Sequence, residues 1–249
     1  MSGHSLSYSA SAKVMDVRPA AESAALDGAA VTLGPALRTP RAGTLSPEAY
    51  ERVKRALDVV LSGLGLVVLA PVFALIALAI KLQDGGPVLY AHDRVGKGGR
   101  HFRFYKFRSM IRDADRLKDQ LAQLNQHAGD ARTFKMVRDP RITPIGRILR
   151  RASLDELPQL FNILKGDMTL VGPRPPLPCE VELYSPEDRR RLEVTPGLTC
   201  LWQIRGRSKL PFSEQVKLDI EYIETRCLLR DLEILVQTVP AVLLGRGAY

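Results

Sequence analysis

Asp155 and Glu156 are adjacent carboxylates, with Arg147, Arg150 and Arg151 just before them. A carboxylate in the first turn of a helix, beside arginines, is kept ionised by the helix dipole and by opposite charge. It can then serve at neutral pH as a nucleophile or a magnesium ligand. Attack on a phosphate also requires the phosphate's own charge to be neutralised, which basic side chains and a hard divalent cation can do. The plainer reading is local: Ser153 followed three residues later by Glu156 is a capping box, and the pair would then merely start a helix.

Basic partners are plentiful. Lys106 and Arg108 close a predicted strand, Arg150 precedes the acidic pair, and Arg205 and Arg207 follow Trp202. Each alone reads as a solvated surface charge; together, among glycine and proline turns, they point to anion contacts. Arg174 lies between Pro173 and Pro175, whose rigid backbone preorganises its guanidinium for a planar ligand. Asp167 and Asp219 would complete a magnesium site or act as ordinary caps and surface charges. His4, His92, His101 and His127 are scattered without metal-ligand spacing, and no nucleophile-elbow signature is present. Metal-hydrolase and serine-hydrolase chemistry therefore find no support. Cys179, Cys200 and Cys227 form no CxxC pair, which argues against a zinc site or disulfide scaffold.

These residues must be positioned by a chain of 249 residues, 45% hydrophobic and 25% charged, with a net charge of +9. That charge calls for an acidic partner: nucleic acid, anionic lipid or a phosphorylated substrate. Residues 1–46 are rich in Ala, Ser, Gly and Thr without periodicity and read as a disordered tail; they lack the apolar core of an export signal. Val59 to Ile80 carries no charge and is flanked by Arg52, Lys54, Arg55 and Lys81. As a helix it would span about 33 Å against a hydrocarbon core of about 30 Å. Pro71 breaks it past the middle, and basic residues at both ends fit a helix that turns near Ala70-Pro71 and leaves on the side it entered. A kinked transmembrane helix is the other reading.

Val88 to Asp93 and His101 to Phe107 read as a hairpin across Gly96–Gly99, which lacks the Walker spacing of a phosphate cradle. Helices are expected over Ile111–Gln126, Leu154–Leu164, Phe212–Thr225 and Leu228–Val239, with Ile145 to Arg151 leading into the second of them. Ala131–Arg141 reads as connecting sequence. Met168 to Pro178, with four prolines, should hold no regular structure. The apolar Ile234–Leu244 would rest on a membrane surface or serve a homodimer.

The stretches Lys106-Phe107-Arg108-Ser109-Met110, Asp139-Pro140-Arg141-Ile142-Thr143, Ser153 to Leu160, Lys165-Gly166-Asp167-Met168 and Val171-Gly172-Pro173-Arg174-Pro175 occur in the order of the bacterial sugar transferase family. From about Arg52 to Tyr249 the chain resembles these monotopic phosphoglycosyl transferases. It is similar to the exopolysaccharide-initiating branch, near the short galactosyl phosphate transferases of succinoglycan synthesis. Longer relatives carry a further four-helix membrane bundle and another domain, expected to be lacking here.

The resemblance implies an α+β, mostly helical monotopic membrane protein with a re-entrant N-terminal membrane helix, a small β-hairpin and amphipathic interfacial helices. The expected domains are the tail, a re-entrant helix over residues 47–82 and a cytosolic catalytic domain over 83–249, in the bacterial inner membrane and facing the cytoplasm. The implied activity moves a hexose-1-phosphate, galactose or glucose being favoured, from a UDP-sugar to undecaprenyl phosphate, releasing UMP with Mg2+ as cofactor. By motif position Asp155 is the nucleophile and Glu156 its partner in metal or proton handling. Asp219 matches another active-site acid, giving Asp155, Glu156 and Asp219 as metal ligands. Lys106 and Arg150 match phosphate-contacting positions, and Arg174 and Arg207 match residues around the nucleotide.

Two departures stand out. The serine usually found before the helix-breaking proline is Ala70, which removes a hydroxyl from the bend. A glycine of the family pattern is Cys200, which would cost about 1 kcal/mol if the position needs positive φ. The alternative to an enzyme is a catalytically inactive membrane scaffold, whose mark would be a lost acidic pair; Asp155 and Glu156 are intact. Nucleic-acid binding has no fold signature beyond charge.

Overall fold

Ser46 accepts a hydrogen bond from the Ala49 amide at 3.3 Å, and Pro47 follows it at the first helical position, where a missing N–H is harmless. These two residues start helix α1 (Pro47–Val68) in the computed structural model, which describes residues 45–114, 116–117, 136, 139–206 and 210–243. Apart from Leu45 and Ser46, the expected tail lies outside the described residues. Leu69 leaves helical geometry, and α2 (Ala70–Asp84) begins with Pro71 in its first turn, bent 59° from α1. The proline thus starts a new helix and leaves the end of α1 undistorted. Leu69 N–H donates to the Gly65 carbonyl and its own carbonyl accepts from Phe73, both at 2.9 Å, so the backbone at the bend is bonded without the hydroxyl that Ala70 lacks. Gly85, at φ 66°, ends α2 in the left-handed conformation.

α1 turns polar residues inward: Tyr50, Asp58 and Ser62 are buried, while Val60, Leu64, Val67 and Val68 are exposed. Asp58 accepts from the Thr169 hydroxyl at 2.6 Å and the Leu170 amide at 2.9 Å. Asp231 accepts from Tyr50, Lys54 and Tyr222 at 2.9, 2.7 and 2.7 Å. Arg55 donates to the Ile163 and Leu164 carbonyls. Two of the basic residues flanking the apolar run, Lys54 and Arg55, are therefore internal fasteners. No single described helix is long and apolar enough to cross a membrane; the bent pair α1 and α2 meets that measure together.

Strands β1 (Leu89–Val95) and β2 (His101–Phe107) form the antiparallel hairpin, with Tyr90 opposite Lys106, His92 opposite Phe104 and Arg94 opposite Phe102. Period-two alternation puts these six residues on one face. Arg108 is buried and pairs with Asp84 at the end of α2, a structural contact. The helix expected over Ile111–Gln126 and the connection after it lie largely outside the described residues, and residues 112–114 form a turn.

Thr143 caps α3 (Pro144–Arg151) by accepting from the Gly146 amide at 3.0 Å. The single helix expected over Leu154–Leu164 is two pieces: a 3-10 turn, Leu154–Glu156, and then α4 (Gln159–Lys165). Pro158 lies at the joint, where its missing N–H cannot donate back to the turn before it. Beyond it, β3 (Thr169–Val171) corrects the expectation of no regular structure; the prolines exclude it only from residue 173 onward. Next come α5 (Pro178–Glu182) and β4 (Gly197–Thr199), which pairs in parallel with β3. Then follow α6 (Leu201–Arg205), α7 (Phe212–Thr225) as expected, and α8 (Leu228–Leu243), four residues longer than expected.

Small apolar clusters fill the joints. Phe104, Leu160, Ile163 and Met168 lie between β2 and α4, and Val171, Leu201, Tyr222 and Ile234 lie between β3 and the C-terminal helices. The described residues thus form a mixture of helices with two two-stranded sheets.

Candidate active site

The acidic pair sits on the 3-10 turn after α3, and its entry is unusual. Ser153 has φ 54°, the only non-glycine positive φ among the described residues, and its side chain caps nothing. The capping-box reading therefore does not hold. Glu156 turns away from the helix start to meet Arg174 Nη2 at 2.9 Å and Lys106 Nζ at 3.5 Å, both on Oε1. A positive φ at a non-glycine residue costs about 1–3 kcal/mol and persists where the surroundings enforce it. Here it turns the two carboxylates toward β2 and the Pro173-Arg174-Pro175 segment.

The two acids differ in state. Burial raises the Glu156 carboxyl, but Arg174 and then Lys106 outweigh it and hold it at about 2. Burial raises Asp155 above the usual carboxylate range; Lys106 pulls it down and Glu156 adds to the rise. The expectation that a carboxylate here is held ionised by nearby cations thus describes Glu156. Asp155 is 6% exposed, yet among the described residues it has no hydrogen-bond or ion-pair partner, and neither oxygen is sealed off. Glu156 Oε2 is also without a partner.

Of the basic candidates, Lys106, Arg150 and Arg174 all act electrostatically on Asp155. Burial draws Lys106 down, with Glu156 opposing, and Glu156 holds Arg174 above its ordinary value. Arg150 closes α3 without an ion pair among the described residues. Arg207 lies outside the described residues. Arg205 is an exposed partner of Glu221 at 3.2 Å. Asp167 pairs with Lys165 at 3.4 Å and lines a cavity of about 330 Å³ at the hairpin turn, the opposite end of β2 from Lys106.

Asp219 is placed differently from the acidic pair. Fully buried on α7, it pairs with Arg191 at 2.7 Å; burial lifts it to about 6 against the pull of Arg191. Arg191 in turn donates to the Tyr184 hydroxyl at 2.8 Å. Among the described residues no three His, Cys, Asp or Glu side chains gather as a metal site. Cys200, at φ −151°, is extended, so no glycine is needed there; its thiol donates to Gln203 at 3.1 Å.

Sequence reasoning passed over His92 and Arg94, which share the hairpin face with Lys106. Arg94 Nε donates to His92 Nε2 at 2.7 Å, and Nη1 to the Pro175 carbonyl at 2.8 Å. Both Arg94 and Lys106 lie over the Phe104 ring, at 5.3 and 5.4 Å. The available signal was the alternation of a strand opposite Lys106. Chemically, the site offers one unpartnered buried carboxylate inside a ring of cations, with a second carboxylate neutralised by two of them.

Comparison with known proteins bears on what such a site acts upon. The profile of the family described as bacterial sugar transferase matches residues 49–245. The chain is 42% identical over 198 residues to the exopolysaccharide production protein ExoY of Rhizobium meliloti, covering 79% of this chain and 88% of that protein. It is 42% identical over 230 residues to the UDP-glucose:undecaprenyl-phosphate glucose-1-phosphate transferase of Caulobacter vibrioides, covering 88% and 81%. It is 47% identical over 196 residues to the galactosyl transferase CpsE of Streptococcus agalactiae, covering 78% of this chain but only 43% of that longer protein.

Proposed function

Because the chain belongs to the bacterial sugar transferase family, we propose that it transfers a hexose-1-phosphate, galactose or glucose phosphate, from a UDP-sugar to undecaprenyl phosphate. UMP is released, and the product enters exopolysaccharide synthesis. The names of the relatives support the acceptor and the two sugars. The observation that carries the chemistry is the contrast within the pair: Glu156 is tied to two cations and Asp155 to none.

In this reading an Asp155 oxygen attacks the β-phosphorus of the donor. The bond to the bridging oxygen breaks, and its electron pair leaves on UMP. Lys106, Arg150 and Arg174 take up charge on the phosphoryl oxygens, and Arg174 and Arg207 face the nucleotide. An oxygen of undecaprenyl phosphate then attacks the phosphoryl group on Asp155 and restores the carboxylate. The hidden position of Asp155 limits access by water.

Asp155 and the unpartnered Oε2 of Glu156 fit Mg2+, which is commonly held by one or two carboxylates, substrate phosphates and retained waters. When bound, the ion supplies charge neutralisation to the diphosphate. Asp219, whose Oδ2 is engaged by Arg191 and whose Oδ1 is sealed from access, is left out of this set.

The inverted polarity of α1 and the bend at Leu69 support a re-entrant helix in the inner membrane, with both ends on the cytoplasmic face. Single cysteines replacing Leu45 and Gly85 should then both be labelled from the cytoplasm; labelling from opposite faces would overturn this arrangement. The reaction is tested by UMP release from nanodisc-embedded protein with Mg2+, undecaprenyl phosphate and a panel of UDP-sugars. Strong turnover with one sugar is expected. Silence across a panel in which a relative is active would favour the inactive scaffold.

A further inference from the structure

Among the described residues, Arg94 is a site cation held in place only by bonds to neutral groups. Lys106 and Arg174 share Glu156, whereas Arg94 bonds only to an imidazole and a backbone carbonyl and has no carboxylate partner among the described residues. Its Nη2 makes no hydrogen bond and is not sealed off. Burial and then the neighbouring Arg174 draw its pKa down to about 10, with Glu180 and Glu156 opposing, so it stays charged at neutral pH. A half-buried cation with no carboxylate bonded to it is costly, and a protein that needed only a brace could have used a neutral amide.

The residue holding Arg94 sharpens the point. His92 lies against Tyr90 and Phe104, with ring centroids at 5.3 and 5.2 Å. Burial, then Arg94, Lys106 and Arg174 push its pKa down to about 3. It is therefore a neutral acceptor, with its hydrogen on Nδ1. An aspartate or glutamate at that position would orient Arg94 equally well but would cancel its charge. A neutral imidazole fixes the guanidinium plane and leaves its charge available to a ligand.

Resting on the transferase reading above, we propose that Arg94 is a further substrate-binding residue that contacts a phosphoryl oxygen, and that His92 is its positioning residue. The phosphoryl group belongs either to the donor diphosphate or to the lipid phosphate, and kinetics separate the two.

The test compares wild type with Arg94→Gln, Arg94→Lys, His92→Gln and His92→Asp in nanodiscs. It measures KM for the nucleotide sugar, KM for undecaprenyl phosphate, kcat, and binding of inorganic pyrophosphate by calorimetry, which needs no turnover. Arg94→Gln should raise one KM about 10- to 100-fold and weaken pyrophosphate binding, with Arg94→Lys intermediate. A rise confined to the sugar nucleotide assigns the donor diphosphate, and one confined to the lipid assigns the acceptor phosphate. His92→Gln, which keeps a neutral acceptor, should stay near wild type, while His92→Asp should behave like Arg94→Gln. A fall in kcat with both KM values and pyrophosphate binding unchanged would reduce Arg94 to a brace for Pro175 and overturn the proposal. Equal effects of His92→Gln and His92→Asp would overturn the role of His92. If wild type turns over no sugar nucleotide, the transferase reading fails by itself, and pyrophosphate binding still decides for or against Arg94.

Discussion

Asp155→Asn should abolish UMP release, a loss of about 10⁴-fold or more, and yet unfold at a higher temperature than wild type at neutral pH. The loss follows from removing the only unpartnered carboxylate of the acidic pair. The gain follows from burial. The folded carboxyl is raised above its ordinary value, so this group favours folding while protonated. That contribution is complete below the unfolded pKa of about 4 and is lost as pH rises through the folded value. Asparagine carries no charge to bury, so the stability difference should open with rising pH and then level off, on the order of 1 kcal/mol.

Glu156→Gln should do the reverse. Its folded carboxyl is held at about 2, so its contribution is present above the unfolded pKa and disappears as pH falls through the folded one. Removing it at neutral pH leaves Arg174 and Lys106 without their carboxylate, at a cost of about 3–5 kcal/mol. Thermal unfolding from pH 2 to 8 checks both signs. A destabilised Asp155→Asn would show that Asp155 is paired in the folded protein, and residual UMP release near wild type would remove it as nucleophile.

Gly197→Ala is the second large effect. A Cβ there would lie 2.1 Å from the Gly172 nitrogen and 2.5 Å from its oxygen, backbone atoms that no rotamer change can move. β3 and β4 would have to separate, breaking the bonds from Gly197 N–H to the Pro173 carbonyl at 2.8 Å and from Gly172 N–H to the Thr199 carbonyl at 2.9 Å. The expected destabilisation is about 3 kcal/mol or more. Because Pro173 adjoins Arg174, a shift of about 1 Å there should also lower kcat about 100-fold. Gly98→Ala is the control: nothing lies within 4 Å of its Cβ and only φ 65° opposes it, so it should cost about 1 kcal/mol and leave kcat unchanged. A Gly197→Ala protein as stable and active as wild type would refute the close strand contact.

What the sequence disclosed was local. His101–Phe107, Phe212–Thr225 and the break before Pro71 were legible because alternation, helical period and a missing N–H act within a few residues. What it concealed depends on distant partners. Ser153 and Glu156 have the spacing of a helix cap, but Arg174, 18 residues onward, takes the Glu156 carboxylate, and the turn is built around that pairing. The parallel pairing of β3 with β4 has no turn to announce it, and the prolines beyond residue 172 disguise it. The family pattern offered glycine at position 200, but an extended cysteine serves as well. Lys106 was singled out by its motif, while Arg94, four residues along β1 from Tyr90, the cross-strand partner of Lys106, carried no motif.

The inward polarity of α1 bears on how this protein could be made water-soluble. Tyr50, Lys54 and Asp58 fasten to Asp231 and to β3, whose next residues carry Arg174. Trimming away the first 84 residues would therefore strip a wall from the catalytic half, leave Asp231 with Tyr222 alone and leave the Leu170 amide without its counterpart. An anchor exchanged by gene fusion would need the same side chains, with Arg55 on the Ile163 and Leu164 carbonyls among them, in the same register. The productive change is to the opposite face: polar replacements at Val60, Leu64, Val67 and Leu75, all exposed, alter what the helices present outward and leave every fastener in place.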